Sequence, residues 1–237
     1  MSEQLRATLE RLARPGAGSN AAFDRLLEDY ARFHLVLAVL ALSLLVASAA
    51  FVVSAWRHRR SAPRPDGRRW TFERLTWSVA IVAGVAFGLI MALLVAANLS
   101  TAIDPLPGFR GSIPTIADQP PGSAGARTDG AFDQWLRSGD RAMPAGVRAA
   151  VDRRLGWQRP KAIVCAVLLV LVVLAAQRLW RSVLARSRRP GHHWTGGELA
   201  RLAAALGSVV VGLLLVLMVL GNAQASLAPI SMTLFFG

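Results

Sequence analysis

Charge is missing from four stretches of this 237-residue chain, and its absence sets the class of protein. Segments 34–55, 76–98, 162–177 and 202–221 contain no Asp, Glu, Lys or Arg. Each is about long enough to cross a hydrocarbon core of roughly 30 Å at 1.5 Å per residue. Hydrophobic residues make up 54% of the chain and charged residues only 17%, which argues against an ordinary soluble domain. The lone cysteine, Cys165, lies inside the third apolar run. It cannot form an internal disulfide and says nothing of redox compartment. Residues 1–33 carry ten charges, five Arg and five acids, and no signal-type apolar region, so no cleavable signal peptide is expected. The only lysine is Lys161. Arginine and alanine in its place fit a GC-rich, bacterial genome.

Motifs for chemistry are also lacking. The sequence has no phosphate-binding loop, dinucleotide fingerprint, zinc-ligand spacing or nucleophile elbow. His192 and His193 with Glu198 are the nearest approach to a metal cluster, but adjacent histidines do not project to one helical face. No acid or base sits within the apolar runs, which weighs against proton- or sodium-coupled transport. Asp104, Asp118, Asp129, Asp133 and Asp140 have no spacing that marks a catalytic carboxylate pair and read as solvated loop charges. No catalytic, cofactor-binding or metal-binding residue is expected.

What is present is arginine, unevenly placed. The net charge is +13. The stretch from Trp56 to Arg74 has seven arginines against Asp66 and Glu73, and that from Arg178 to Arg201 has six against Glu198. The longer segment between the second and third runs has eight arginines and six aspartates, and the residues after Gly221 carry no charge. Excess arginine in short loops marks the cytoplasmic side. Both basic loops are therefore expected in the cytoplasm, touching anionic headgroups. Both termini and the long loop are expected outside a cytoplasmic membrane. No aromatics interleave with the basic residues beyond tryptophans that a membrane interface explains, so nucleic acid is not an expected partner.

The chain also repeats itself. Shifting the sequence by 124 residues aligns 56–105 with 180–229 without a gap and with 15 identities. The rarer matches carry the signal: Trp56 with Trp180, Gly67 with Gly191, Trp70 with Trp194, Asn98 with Asn222 and Pro105 with Pro229. A fainter echo pairs 21–25 with 149–153 at a shift of 128. The fold class expected is an all-α integral membrane protein. Its four transmembrane helices form two tandem hairpins of the same orientation, about a pseudo-two-fold axis along the membrane normal. The expected segments are an outer amphipathic stretch 1–33, a hairpin 34–98, an outer loop 99–160, a hairpin 161–222 and an apolar outer tail 223–237.

Each repeated residue has a membrane reading. Trp56, Trp70, Trp180 and Trp194 fall where an indole anchors at the interface. Asn98 and Asn222 end the second helix of each hairpin, placed to bond terminal carbonyls or a partner helix. Pro105 and Pro229 stop the helix from continuing. Ala80, Gly84, Gly88 and Ala92 recur every fourth residue on one helix, as do Ala204, Ser208 and Gly212 on its counterpart. Small faces of this kind let backbones approach closely in lipid, so these two helices are expected to carry the tight packing. Outside the spans, Leu5, Leu9 and Leu12 predict a short helix ending at Pro15-Gly16. Ser19 or Asn20 predicts the next N-cap, and short helices are expected near 132–137 and 145–155. These pieces are expected to lie on the membrane surface, pack over the bundle or dock another subunit. The functional expectation is a non-enzymatic membrane subunit, scaffold or assembly factor, working with other membrane subunits or as a homo-oligomer. The alternatives are a small oligomeric permease, channel or lipid-handling component and, third, a membrane enzyme acting on a lipid-linked substrate.

Overall fold

A computed structural model describes residues 2–62, 71–116, 123–188 and 195–236. Its described residues form eight α-helices and one 3-10 turn, with no strand. Four helices are long: α2 (Ala21–Ser61), α3 (Phe72–Ile103), α6 (Ala145–Ser187) and α7 (Gly196–Leu227). Each is long and apolar enough to cross a membrane, so the chain is a multi-pass membrane protein. Four helices are short: α1 (Glu3–Leu12), α4 (Pro105–Ser112), α5 (Ala124–Ser138) and α8 (Pro229–Phe236). Helix starts recur 124 residues apart, at Ala21 and Ala145, Phe72 and Gly196, and Pro105 and Pro229.

The chain divides into two compact units, and each long helix contributes residues to both. The first unit comprises Met1–Val39, Val95–Ala162 and Leu220–Gly237. It has the core of a small soluble domain, centred on Trp135, Phe109, Phe132, Leu5, Leu9 and Leu26, all under 2% exposed. Phe109 meets Phe23 and Tyr30 edge-on, at ring separations of 5.7 and 5.3 Å. Local signals place its elements. The Ser2 side chain accepts from the Leu5 amide, and Ser123 accepts from Ala126, capping α1 and α5. Asn20 Oδ1 accepts from the Phe23 amide and starts α2. Gly16 and Gly139, at φ of 78° and 67°, supply the left-handed turns after α1 and α5.

The short helices of this unit pack on one another around a shared core, with α1 against α5 and α5 against α8. The sequence differs from the observed ends of the elements in three places. Pro105 stops α3 after a one-residue break and also opens α4, where a proline at N1 gives up no hydrogen bond. The expected boundary at Pro160 lies inside α6, which runs unbroken from Ala145 to Ser187; the helix there forgoes only the bond to the Gly156 carbonyl. The expected tail from residue 223 is helical: α7 continues to Leu227, and α8 buries Ile230, Ser231, Thr233 and Leu234.

The second unit comprises Leu40–Leu94 and Ile163–Val219. It holds the most apolar parts of the four long helices, whose outer faces carry exposed Leu and Val throughout. In the most apolar 18-residue stretch of α2 and of α3, 17% of the residues are buried; in α6 and α7 the share is 6%.

Candidate functional site

Among the described residues, three clusters of buried or half-buried polar side chains stand out, two in the first unit and one in the second. In the first unit, His34 on α2 donates from Nδ1 to Asn98 Oδ1 on α3 at 2.7 Å, with Asn98 only 7% exposed. With that acceptor the ring hydrogen sits on Nδ1, and the buried Nε2 has no partner among the described residues. Tyr30, one turn earlier, lies edge-on to the imidazole at 4.6 Å. Burial pushes its phenol above the usual tyrosine range, opposed by a hydrogen bond with Ser112. Asn98 thus joins two long helices by a side-chain bond. Asn222 is likewise buried and engaged.

The second cluster is a set of buried carboxylates that tie helix ends. Asp29, 3% exposed, accepts from the Ser231 amide at 2.7 Å and so caps α8 from α2. Desolvation raises its pKa above the usual 3.8, and the amides of Ser231 and Ile230 with the charge of Arg32 pull the other way. Asp129 Oδ2 accepts from the Ser2 amide at 2.7 Å, and Asp133 Oδ1 from Thr8 Oγ1 at 2.7 Å, both joining α5 to α1. Asp133 also pairs with Arg137 one turn on, at 2.8 Å. Arg110 Nε donates to the Ala13 carbonyl at 3.0 Å and closes the C-terminal end of α1. Arg154 donates to the Phe236 carbonyl at the end of α8.

The third cluster lies in the second unit. Arg188, just beyond α6, grips the Glu73 carboxylate at the start of α3 through both oxygens, at 2.9 and 2.6 Å. The Glu73 side chain is 5% exposed, and the pairing raises the pKa of Arg188 further. On α2, the ring of His58 packs on that of Trp77 of α3 at 4.9 Å, and Arg59 Nε donates to Ser78 Oγ at 2.8 Å.

The residues singled out from sequence fall unevenly across these places. Gly84 and Gly88 are buried against α2: a Cβ at Gly84 would meet Val52 at 2.7 Å, and one at Gly88 would meet Ser48 at 3.5 Å. Ser48 Oγ donates to the Gly84 carbonyl at 2.7 Å. Ala80 and Ala92 flank this contact, half-buried. On α7 the face is looser: a Cβ at Gly212 meets Val172 only at 4.0 Å, Ser208 is half-buried, and Ala204 is exposed while its neighbour Ala205 is fully buried. The close approach is thus between α3 and the helix before it in the chain. Trp56 is 42% exposed and Trp180 half-buried; Trp70, Trp194, Gly67, Gly191, His192 and His193 lie outside the described residues.

Sequence reasoning missed the buried carboxylates, although a signal was there. Asp29 stands between Leu26 and Tyr30 on the apolar face of its helix, and Asp129 and Asp133 share a face with Phe132 and Leu136. An acid on an apolar face needs a partner, and each found one. No group of three or more His, Cys, Asp or Glu residues among the described residues is placed to hold a metal. No family model, no curated protein and no solved structure matches the chain.

Proposed function

We propose that this protein is a non-enzymatic membrane subunit, scaffold or assembly factor of a larger membrane complex. The observation that carries the reading is the use of its acids. All four carboxylates buried among the described residues (Asp29, Glu73, Asp129 and Asp133) are spent on ties between elements. A general acid or base has to be within reach of a substrate proton, and these face amides, a hydroxyl and a guanidinium of the same chain. The first unit then serves as a rigid recognition module, and the sparsely buried spans give partner helices room to pack.

In the same reading the chain is two tandem units of one orientation in a cytoplasmic membrane. The basic segments face the cytoplasm and its anionic headgroups, and both termini face outward. The helix starts spaced by 124 residues support an extension of the repeat to the whole chain, α1–α4 followed by α5–α8. Phe23 and Val147, equivalent at that spacing, are both buried in the core of the first unit. Purification of the full chain in mild detergent after chemical cross-linking tests the functional reading, with co-eluting proteins identified by mass spectrometry. A stoichiometric partner cross-linked to the first unit is expected. A single species, with solute flux after reconstitution in proteoliposomes, would replace it with a transport function. Labelling of single cysteines at positions 2 and 61 from outside tests orientation; a labelled 61 with a protected 2 would invert it.

A further inference from the structure

The two basic ends of the hairpins do not carry the same side chains. On α2 the last turns present Trp56, Arg57, His58, Arg59 and Arg60. The guanidinium of Arg60 lies 5.0 Å from the Trp56 ring centroid and that of Arg59 5.8 Å, so one indole holds two cations. Arg59 is fixed again through Nε to Ser78 Oγ, which itself donates to the Arg74 carbonyl at 2.7 Å. Glu73, the only acid among the described residues of these turns, is held by Arg188. At the 124-residue spacing the second hairpin keeps Trp180 and Arg181, but the counterparts of Arg59 and Arg60 are Val183 and Leu184, 2% and 9% exposed. Those of Trp77 and Ser78 are Arg201 and Leu202.

We infer that the basic end of the first hairpin is a binding site for the headgroup of a single anionic phospholipid, and that the second hairpin has none. The inference rests on the proposed contact of the basic segments with anionic headgroups and narrows it to one place. A planar guanidinium pinned on an indole offers paired donors at a fixed angle, which suits phosphate oxygens. Trp56 ends the apolar part of α2, where a tryptophan sits at headgroup depth. Val79 and Val82 on α3, 60% and 69% exposed, offer an apolar surface for the acyl chain. A lipid with net negative charge fits, because a zwitterionic headgroup brings its own cation to a site already full of them.

Native mass spectrometry of the full chain, titrated in detergent with phosphatidylglycerol, tests the site. Arg59→Gln with Arg60→Gln is expected to weaken lipid retention about tenfold or more, and Arg178→Gln with Arg181→Gln about twofold or less. Arg60→Gln alone covers the case in which loss of the Ser78 bond loosens the hairpin, since the Arg60 guanidinium rests on its own helix; it is expected to lose affinity without a change in thermal unfolding. Equal losses in the two double variants would overturn the site in favour of diffuse attraction and would leave the headgroup contact itself standing. Unchanged retention in both would overturn that contact as well. Equal retention of phosphatidylcholine, or displacement of the lipid by excess inorganic phosphate, would also overturn it.

Discussion

The two hairpins share helix boundaries but not the contacts between their helices. In α2–α3, Gly84 and Gly88 admit the other helix to van der Waals distance, Ser48 bonds the Gly84 carbonyl, and Arg59 and His58 fasten the basic end. In α6–α7, a Cβ at Gly212, the counterpart of Gly88, would meet Val172 only at 4.0 Å, and one at Gly207 would meet nothing within 4 Å. Lipid tails are as apolar as leucine, so exposed apolar side chains do not by themselves drive helices together. Close packing and polar bonds do, and the first hairpin has both. A shared pattern of small residues fixes where helices are able to meet, while the larger neighbours decide whether they do.

The largest effect that would break this contrast is overpacking. Gly84→Leu places a branched side chain where a Cβ alone would lie 2.7 Å from Val52, and should cost about 3 kcal/mol. Gly212→Leu should cost less than about 1 kcal/mol, because its side chain enters a looser contact. Unfolding by sodium dodecyl sulfate in mixed micelles, followed by tryptophan fluorescence, measures both. Equal losses would mean that the hairpins are packed alike. Next comes the Glu73–Arg188 pair. Arg188→Ala leaves a carboxylate of 5% exposure without its cation, at a cost of about 2 kcal/mol once the 55% exposure of the arginine is allowed for. The same assay reads it, and an unchanged transition would show that Glu73 finds another partner. Ser48→Ala, which removes one bond to a backbone carbonyl, should cost about 0.6–1 kcal/mol.

How far the sequence spoke of all this follows from the physics of each region. The four apolar runs identified the long helices, because an unbroken apolar segment of about 20 residues satisfies its backbone groups within itself only as a helix. The ends of those helices were not legible. Beyond the runs, α2 and α6 continue as amphipathic helices in the first unit, where burial of Phe23, Leu26 and Val147 replaces lipid as the driving force. The echo at a shift of 128 pairs Ala21 with Ala149, whereas the helix starts pair Ala21 with Ala145. A core conserves volume and facing direction better than identity, so matched letters mislead there. The small-residue face of α3 was legible as a surface, but its partner depended on Val52 and Ser48, which no spacing rule selects. The carboxylate ties needed the fold, since Asp29 and Ser231 lie 202 residues apart.

Asp29 supplies the finest test of how the two long helices of equal start diverged. Its equivalent on α6 at the 124-residue spacing is Arg153, which is exposed, so at this position the first long helix carries an acid that caps the start of α8, while α6 reaches the other end of α8 through Arg154. The carboxylate accepts from an amide, yet desolvation dominates and its folded pKa lies above the usual 3.8. The sign follows from that direction. A group whose pKa rises on folding contributes stability that is full below its unfolded value, and this is lost as pH climbs through the folded value. Acidification from neutral pH toward the unfolded value should therefore strengthen the contribution of this site, opposite to the behaviour of an acid in an ordinary salt bridge. Asp29→Asn keeps a carbonyl acceptor for the Ser231 amide and never ionises. It should hold or slightly raise the midpoint of thermal unfolding at neutral pH, and it should remove this group's share of the rise on acidification. Asp29→Ala leaves the amide unpaired and should cost about 1 kcal/mol at neutral pH and more in acid, where the wild-type group contributes most. Near-ultraviolet circular dichroism, to which Trp135 buried in the same core contributes, follows the thermal unfolding of all three proteins from neutral to acid conditions. If Asp29→Asn lowers the midpoint as far as Asp29→Ala does, the charge of Asp29 rather than its acceptor oxygen holds α8 in place.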